Sequence, residues 1–445
     1  MNNVDEILSN PNKSIRNLST TIMLSMIFMF AYNVVDTIFV SHISVDALTA
    51  VGFFTPIFMI ITAIGQGIGN GMSTAMSRYI GAKNLKEASN TAFHSFIIVI
   101  LISIIFIILA FFGLKEIMIF IGAEQVIDLA MQYGSINFIF AFIFLIDFLM
   151  SSILRSEGAM KRATVIMAIG CILNGAMDPI FIYYLNMGVS GAAVSSVVAS
   201  FISILIACYW IFIKKDTHVK ICLDHFNPNR LLTKEILNVG IPATLEGITM
   251  DISTIIINYM LMIVGGSVAV AIFTAGFKII SFSLIPAMGV EFAILTVAGM
   301  SFGAGMYEKI KSCYHYSIKF STLICVIIAV LMFIFSNDLA IIFSQDISLV
   351  QGISEFIKIL SIGVIGIPIG LCSTAMFQAK GNGIMSLILV LLRDIILGVV
   401  FAIIFGFILN MGVFGIFLGI SVGYIVAGLI SYISFEIYYN RLSKS

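Results

Sequence analysis

Apolar residues run along this chain in long blocks, too long for strands and too uniformly apolar for one face of a soluble helix. Charges and turn residues bound twelve of them, at 17–41, 50–78, 90–113, 127–153, 163–185, 189–213, 235–264, 268–300, 314–335, 349–377, 384–408 and 413–437. A helix needs about 20 mainly apolar residues to cross a bilayer, so each block predicts a spanning helix. The longest predict tilt, kinks or ends that stand out of the bilayer. The polar stretch MNNVDEILSNPNKS leads into the first block with no small-residue cleavage site after it. That block therefore reads as a retained helix rather than a signal peptide.

The connections carry the orientation. Lys and Arg collect in every second one: Lys13 and Arg16; Arg78, Lys83 and Lys86; Arg155, Lys161 and Arg162; Lys214 to Lys234; Lys309 and Lys311; Lys380; then Arg441 and Lys444. The alternate connections hold almost none, Lys115 being the exception. Cytoplasmic loops carry that excess, so both termini are expected in the cytoplasm. Composition agrees: 60% of residues are hydrophobic and 10% charged, against about 25% charged in soluble domains. The expected class is an all-α integral membrane protein.

A formal net charge of zero gives no reason to expect nucleic acid as a partner. The six cysteines, Cys171, Cys208, Cys222, Cys313, Cys325 and Cys372, lie in spans or on the cytoplasmic side, so no disulfide framework is expected. No CxxC, His cluster or phosphate-binding glycine loop is present, and neither an enzyme nor a bound cofactor is indicated. Compact loops and the lack of targeting signals point to a prokaryotic plasma membrane.

The longest polar connection, 214–234, falls at the middle of the chain. It divides the sequence into an amino-terminal six-helix bundle, 1–213, and a carboxy-terminal one, 235–445, with 214–234 as cytoplasmic linker. Sliding the chain by 222 residues lays Gly67 on Gly289 and Gly81-Ala82 on Gly303-Ala304. One residue more lays LRSEG at 154–158 on FQAKG at 377–381, and another lays NMGVSG at 186–191 on NMGVFG at 410–415. The two bundles are thus pseudo-symmetric, and an even helix count in each makes the repeats parallel. Such architectures bind substrate between halves and alternate access by rocking, which predicts a transporter with a V-shaped central cavity.

The same segments resemble the multidrug and toxic compound extrusion (MATE) family over essentially the whole chain. The carriers are NVVDTIFVSHISVDALTAVGFFTPI (33–57), RYIGAKN (78–84), ILRSEGAMKRA (153–163), LNGAMDPIFIYYLNMGVSGAA (173–193), VGIPATLE (239–246) and SFGAGMYEKIK (301–311). The resemblance implies export of amphipathic, often cationic compounds in exchange for protons or sodium ions, and a monomer suffices for this architecture. The coupling ion, H+ or Na+, would be the sole cofactor-like requirement.

Intramembrane charges carry the candidate chemistry. An ionised Asp at the centre of a spanning helix costs roughly 2.5–3.5 kcal/mol on insertion scales, so each such residue is a functional candidate. Asp36 lies late in span one and Asp178 late in span five, each sharing a helix face with an Asn, at 33 and at 174. Pro179 donates nothing to the carbonyl of Gly175, which frees an oxygen for a cation or water. These groups suit proton exchange or a sodium ion held by hard oxygen ligands. The resemblance points to the branch with coupling carboxylates in the first half, at Asp36 and Asp178. It implies Asn at 174, as here, and Thr at 196, where this chain has Ser196.

Gln66 and Asn70, one turn apart in span two, together with Asn33 and Asn258, are candidates for lining the substrate cavity. Asp251, Glu246 and Lys278 form a second rank, expected to pair between spans seven and eight. Asp147, Glu291, Arg393 and Asp394 are further charged positions within spans. Pro56 and Pro286, in the second span of each half, are candidate kinks or hinges, and Pro368 lies in span ten. The main rival function is a flippase for lipids or lipid-linked saccharides, which predicts a basic cavity lining. A channel or receptor is a second rival. The charges found in the spans are mostly acidic.

Overall fold

The structure, a computed structural model, describes residues 3–214, 217–221, 223–344 and 346–442, with the backbone alone at 3, 31–38, 41, 45 and 223. Among these residues the regular elements are all helical. After a short helix, Asn3–Ser9, the chain makes twelve long helical passes. The first half holds α1 Pro11–Ser41, α2 Val45–Gly81 and α3 Leu85–Phe112. Next come α4, in two segments Ile127–Ile139 and Ala141–Ser156, α5 Met160–Tyr184 and α6 Gly188–Ile213. In the second half α7 and α8 run as one continuous stretch, Arg230–Gly303, broken only at Gly266. Gly266 has φ 66°, ψ −162°, a conformation essentially reserved for glycine, and it separates passes 230–265 and 267–303. Then follow α9 Tyr307–Ile334, α10 in segments Ile347–Gly363 and Gly366–Lys380, α11 Gly383–Ile408 and α12 Gly412–Leu442. Polar ends and apolar interiors make helices the only economical choice, since each backbone group is then bonded within its own span.

The expected kinks do not break their helices, and the bends fall elsewhere. α2 runs through Pro56 and α8 through Pro286 without a break, so these two prolines do not divide their helices. α10 bends by 49° just before Pro368, and α4 bends by 48° at Phe140 with no proline nearby.

The halves fold through the same turns. Left-handed backbone falls at Lys83 (φ 59°) and Gly305 (φ 70°), at Gly158 (77°) and Gly381 (95°), at Asn186 (52°) and Asn410 (53°), and at Gly188 (56°) and Gly412 (65°). Each pair stands at the offset found in the sequence. Spans five and eleven both loosen to π geometry before the Asn-Met-Gly turn, over Ile180–Tyr184 and Ile404–Ile408. Spans six and twelve then approach closely. A Cβ on Gly191 would lie 2.7 Å from the Phe181 carbonyl oxygen, and one on Gly415 2.4 Å from that of Phe405.

Two compact units result. Leu24–Thr244 is the body of the first; Glu6–Met23 and the chain from Leu245 form the second. In the first, Phe54 meets Tyr133 and Phe138 edge-on at 5.4 and 5.8 Å between ring centres. The connection after α6 is docked on this unit rather than loose. Glu157, in the turn after α4, accepts the N–H groups of His218 and Val219 at 3.0 Å each. Asn90 pairs both ways with the backbone of Asn227, and His94 Nε2 accepts from the Asn229 N–H at 2.9 Å. In the second unit, Phe356 packs on Phe273 and Phe417 at the centre of a core shared by α7 to α12.

Candidate functional site

The late turns of α5 carry Asn174 and Asp178 on one face, toward α6. Pro179 ends the regular helix there, and the chain continues as a π segment. That segment is tied to α1 by the Tyr183 hydroxyl, which donates to the Phe39 carbonyl at 2.7 Å. Asp178 is fully buried, and the Ser195 hydroxyl of α6 donates to its Oδ1. The Asn174 amide is oriented by what surrounds it. With its NH2 toward the carboxylate, it donates to Asp178 Oδ2 at 3.2 Å, while its oxygen accepts from the Ser196 hydroxyl and N–H at 2.9 and 3.0 Å. The opposite orientation sets the amide oxygen against Asp178 Oδ2, two acceptors that repel unless the carboxyl carries a proton.

The structure therefore brings together Asn174, Asp178 and Ser196 from the sequence reading and adds Ser195. A carboxylate, an amide oxygen and two hydroxyls are hard oxygen ligands, of the kind that bind a proton or a small alkali cation. The side chains of Asp36 and Asn33 lie outside the described residues, although their backbone belongs to α1. Gln66 is exposed and Asn70 half-buried on α2.

In the second unit the expected ion pair of Glu246 and Asp251 with Lys278 is not formed. Residues five apart on a helix point about 140° away from each other, so Glu246 and Asp251 do not share a partner. Asp251 and Lys278 are both exposed. Glu246 instead accepts from Gln378 Nε2 at 2.8 Å, and that amide also donates to Ser386 at 3.1 Å. Arg393 and Asp394 form a two-pronged pair at 2.8 and 2.9 Å, and Ser253 donates to the Asp394 carbonyl at 2.7 Å. Asn258 is half-buried, with its Oδ1 enclosed and without a hydrogen bond. The sequence did signal Gln378: the repeat lays it on Arg155, which donates to Ser151 and Ser152 at 3.2 and 2.6 Å.

Known proteins share this architecture along the whole chain. The family model described as MatE matches twice, over residues 21–180 and 242–404. The multidrug export protein MepA of Staphylococcus saprophyticus is 23% identical over 86% of this chain and 85% of its own length. The FAD transporter of Shewanella oneidensis is 24% identical over 96% and 95%. Among solved structures, a MATE protein in complex with MaL6 is 32% identical, with TM-score 0.96 and full coverage of both chains. A MOP superfamily transporter from Pyrococcus furiosus, described as having a binding pocket of reversed polarity, is 33% identical at TM-score 0.96, covering 100% of this chain and 99% of its own. With one family model matching each half and full-length likeness to solved MATE proteins, the chain belongs to the MatE family and is a multi-pass, non-enzymatic membrane transporter of small molecules.

Proposed function

We propose that this protein exports amphipathic, often cationic compounds from a prokaryotic cell by alternating access, driven by inward movement of protons or sodium ions. Asp178 is the coupling carboxylate in the described part of the site, with Asn174, Ser195 and Ser196 as its hydrogen-bonding frame. Asp36 on α1 is its proposed second carboxylate. The observation that carries the reading is a fully buried Asp on a spanning helix, held by the Ser195 hydroxyl and the Asn174 amide. Such a carboxylate gains most from a proton or a cation.

The names of the relatives span drug export and a flavin dinucleotide, so the substrate is argued from charge. Within the twelve apolar blocks Asp and Glu number eleven against five Lys and Arg, of which Arg393 is already paired with Asp394. That excess favours cations over the anionic headgroups or phosphates a flippase would carry. The test is efflux of a fluorescent organic cation from proteoliposomes under separate proton and sodium gradients. Wild type should respond to at least one gradient, and Asp178→Asn and Asp36→Asn should lose that response. Equal gradient-driven efflux in the folded variants overturns the coupling assignment, and flux of lipid alone returns the flippase.

A further inference from the structure

One carboxylate within the first unit has no part in the coupling frame. Asp147 lies in the second segment of α4, with a face only partly covered. Its Oδ1 is enclosed without a hydrogen bond, and among the described residues Asp147 makes no hydrogen bond and no ion pair. The cation in its electrostatic reach, Arg155, stands eight residues on and turns its guanidinium back to within about a turn of Asp147 without closing an ion pair with it. The Arg155 guanidinium is held by Ser151 and Ser152. A carboxylate in such surroundings is costly unless a positive partner arrives.

Its position says which partner. Asp147 is within electrostatic reach of Cys171 on α5. Cys171, Asn174 and Asp178 follow one another at i, i+3 and i+7, the spacing of a single helix face. Cys171 stands roughly 10 Å along the axis from Asp178, so Asp147 lies near the coupling face of α5 at about the level of Cys171. One turn away on α4, Ile143 and Phe144 join Phe58 and Val197 in an apolar cluster, with Phe58 and Phe144 edge to face at 5.2 Å. A lone carboxylate beside aromatic and aliphatic walls suits a cation with a greasy body.

We propose that Asp147 is the substrate-selecting carboxylate of the first unit, holding the positive centre of an organic cation while Asp178 holds the coupling ion. This rests on the export reading. It deepens that reading by giving substrate and ion separate ligands. Two unit charges about 10 Å apart at an effective dielectric near 20 weaken each other's binding by roughly tenfold. Ion and substrate then exclude one another by repulsion, without sharing a residue.

The probe pair is tetraphenylphosphonium, a permanent cation, and triphenylphosphine oxide, a neutral analogue of similar body. Both are titrated calorimetrically into the full-length protein in nanodiscs. Asp147→Asn should weaken tetraphenylphosphonium binding tenfold or more and leave the oxide unchanged, while Asp147→Glu should keep most of the affinity for the cation. In wild type, raising sodium or proton concentration should weaken tetraphenylphosphonium binding, and Asp178→Asn should reduce that effect without abolishing binding. Unchanged cation affinity in Asp147→Asn overturns the proposal. So does equal loss of both probes there, or a wild type that does not prefer the cation. If Asp178→Asn retains gradient-driven efflux, the coupling assignment fails, while the Asp147 comparison still decides the substrate site.

Discussion

At the scale of single residues, the weight of each group around Asp178 follows from burial. Removing the Ser195 hydroxyl takes a donor from a fully buried carboxylate, which costs about 1–3 kcal/mol where water does not replace it. Ser195→Ala should unfold several degrees below wild type in detergent, whereas Ser196→Thr, which keeps its hydroxyl, should stay within about 1 kcal/mol. Equal melting of wild type and Ser195→Ala would remove Ser195 from the frame. Glu157 offers a pH-dependent case outside the spans. Burial pushes its carboxyl from 4.5 up to about 7, against the pull of the Val219 and His218 N–H groups and of Arg162. Because the folded value lies above the unfolded one, this contribution is fully present below about pH 4.5 and is lost as pH rises through about 7, a change of about 3 kcal/mol. Thermal unfolding between pH 4.5 and 8 should show wild type losing that much relative to Glu157→Gln; a difference independent of pH contradicts it. Asp178, Asn174 and Ser196 were legible in the sequence, the first two because i, i+4 spacing fixes a shared face. Ser195 was not, since neighbouring residues point about 100° apart on a helix and only the packing of α6 on α5 shows that both serines reach in.

At the scale of elements, the repeat was legible because the turns need particular residues. Asn186 and Asn410, Gly158 and Gly381, and Gly188 and Gly412 take left-handed backbone at matching places, and few residue types tolerate it. The bends were less legible. A proline inside a spanning helix removes one hydrogen bond, which neighbouring helices can re-satisfy, so α2 passes Pro56 unbroken. The bend of α4 at Phe140 arises without a proline and leaves no comparable mark in the sequence. Close helix contacts supply a paired prediction. Gly191→Ala and Gly415→Ala each press a methyl into a backbone carbonyl of the preceding span. Each should destabilise by about 1–3 kcal/mol, despite the roughly 1 kcal/mol that Ala gains over Gly in a helix. Gly52→Ala on α2, where a Cβ meets nothing within 4 Å, should be neutral or stabilising in the same melting assay. Three variants of equal stability would show that these approaches relax without cost.

At the scale of the whole molecule, an even number of passes with basic residues in every second connection leads us to propose that both ends of the chain lie in the cytoplasm. Connections rich in Lys and Arg are retained in the cytoplasm, and here they alternate with connections that hold almost none. Pass number and charge pattern are independent, because adding or losing one span would invert every connection after it. Gly266 is the vulnerable point, since the sequence and the helix continue through it and only its φ of 66° marks the reversal between α7 and α8. Single cysteines placed in a cysteine-free background test the alternation directly. Lys86→Cys and Lys161→Cys, at exposed sites in basic connections, should react with a membrane-impermeant maleimide only after the cells are opened. Glu124→Cys, Met187→Cys and Leu409→Cys, exposed in the alternate connections, should react in intact cells. Agreement in the first half with inversion at Leu409 would mean that α7 and α8 make one crossing between them rather than two. The parallel repeat would then give way to an inverted one, with the carboxy-terminal half facing the opposite way.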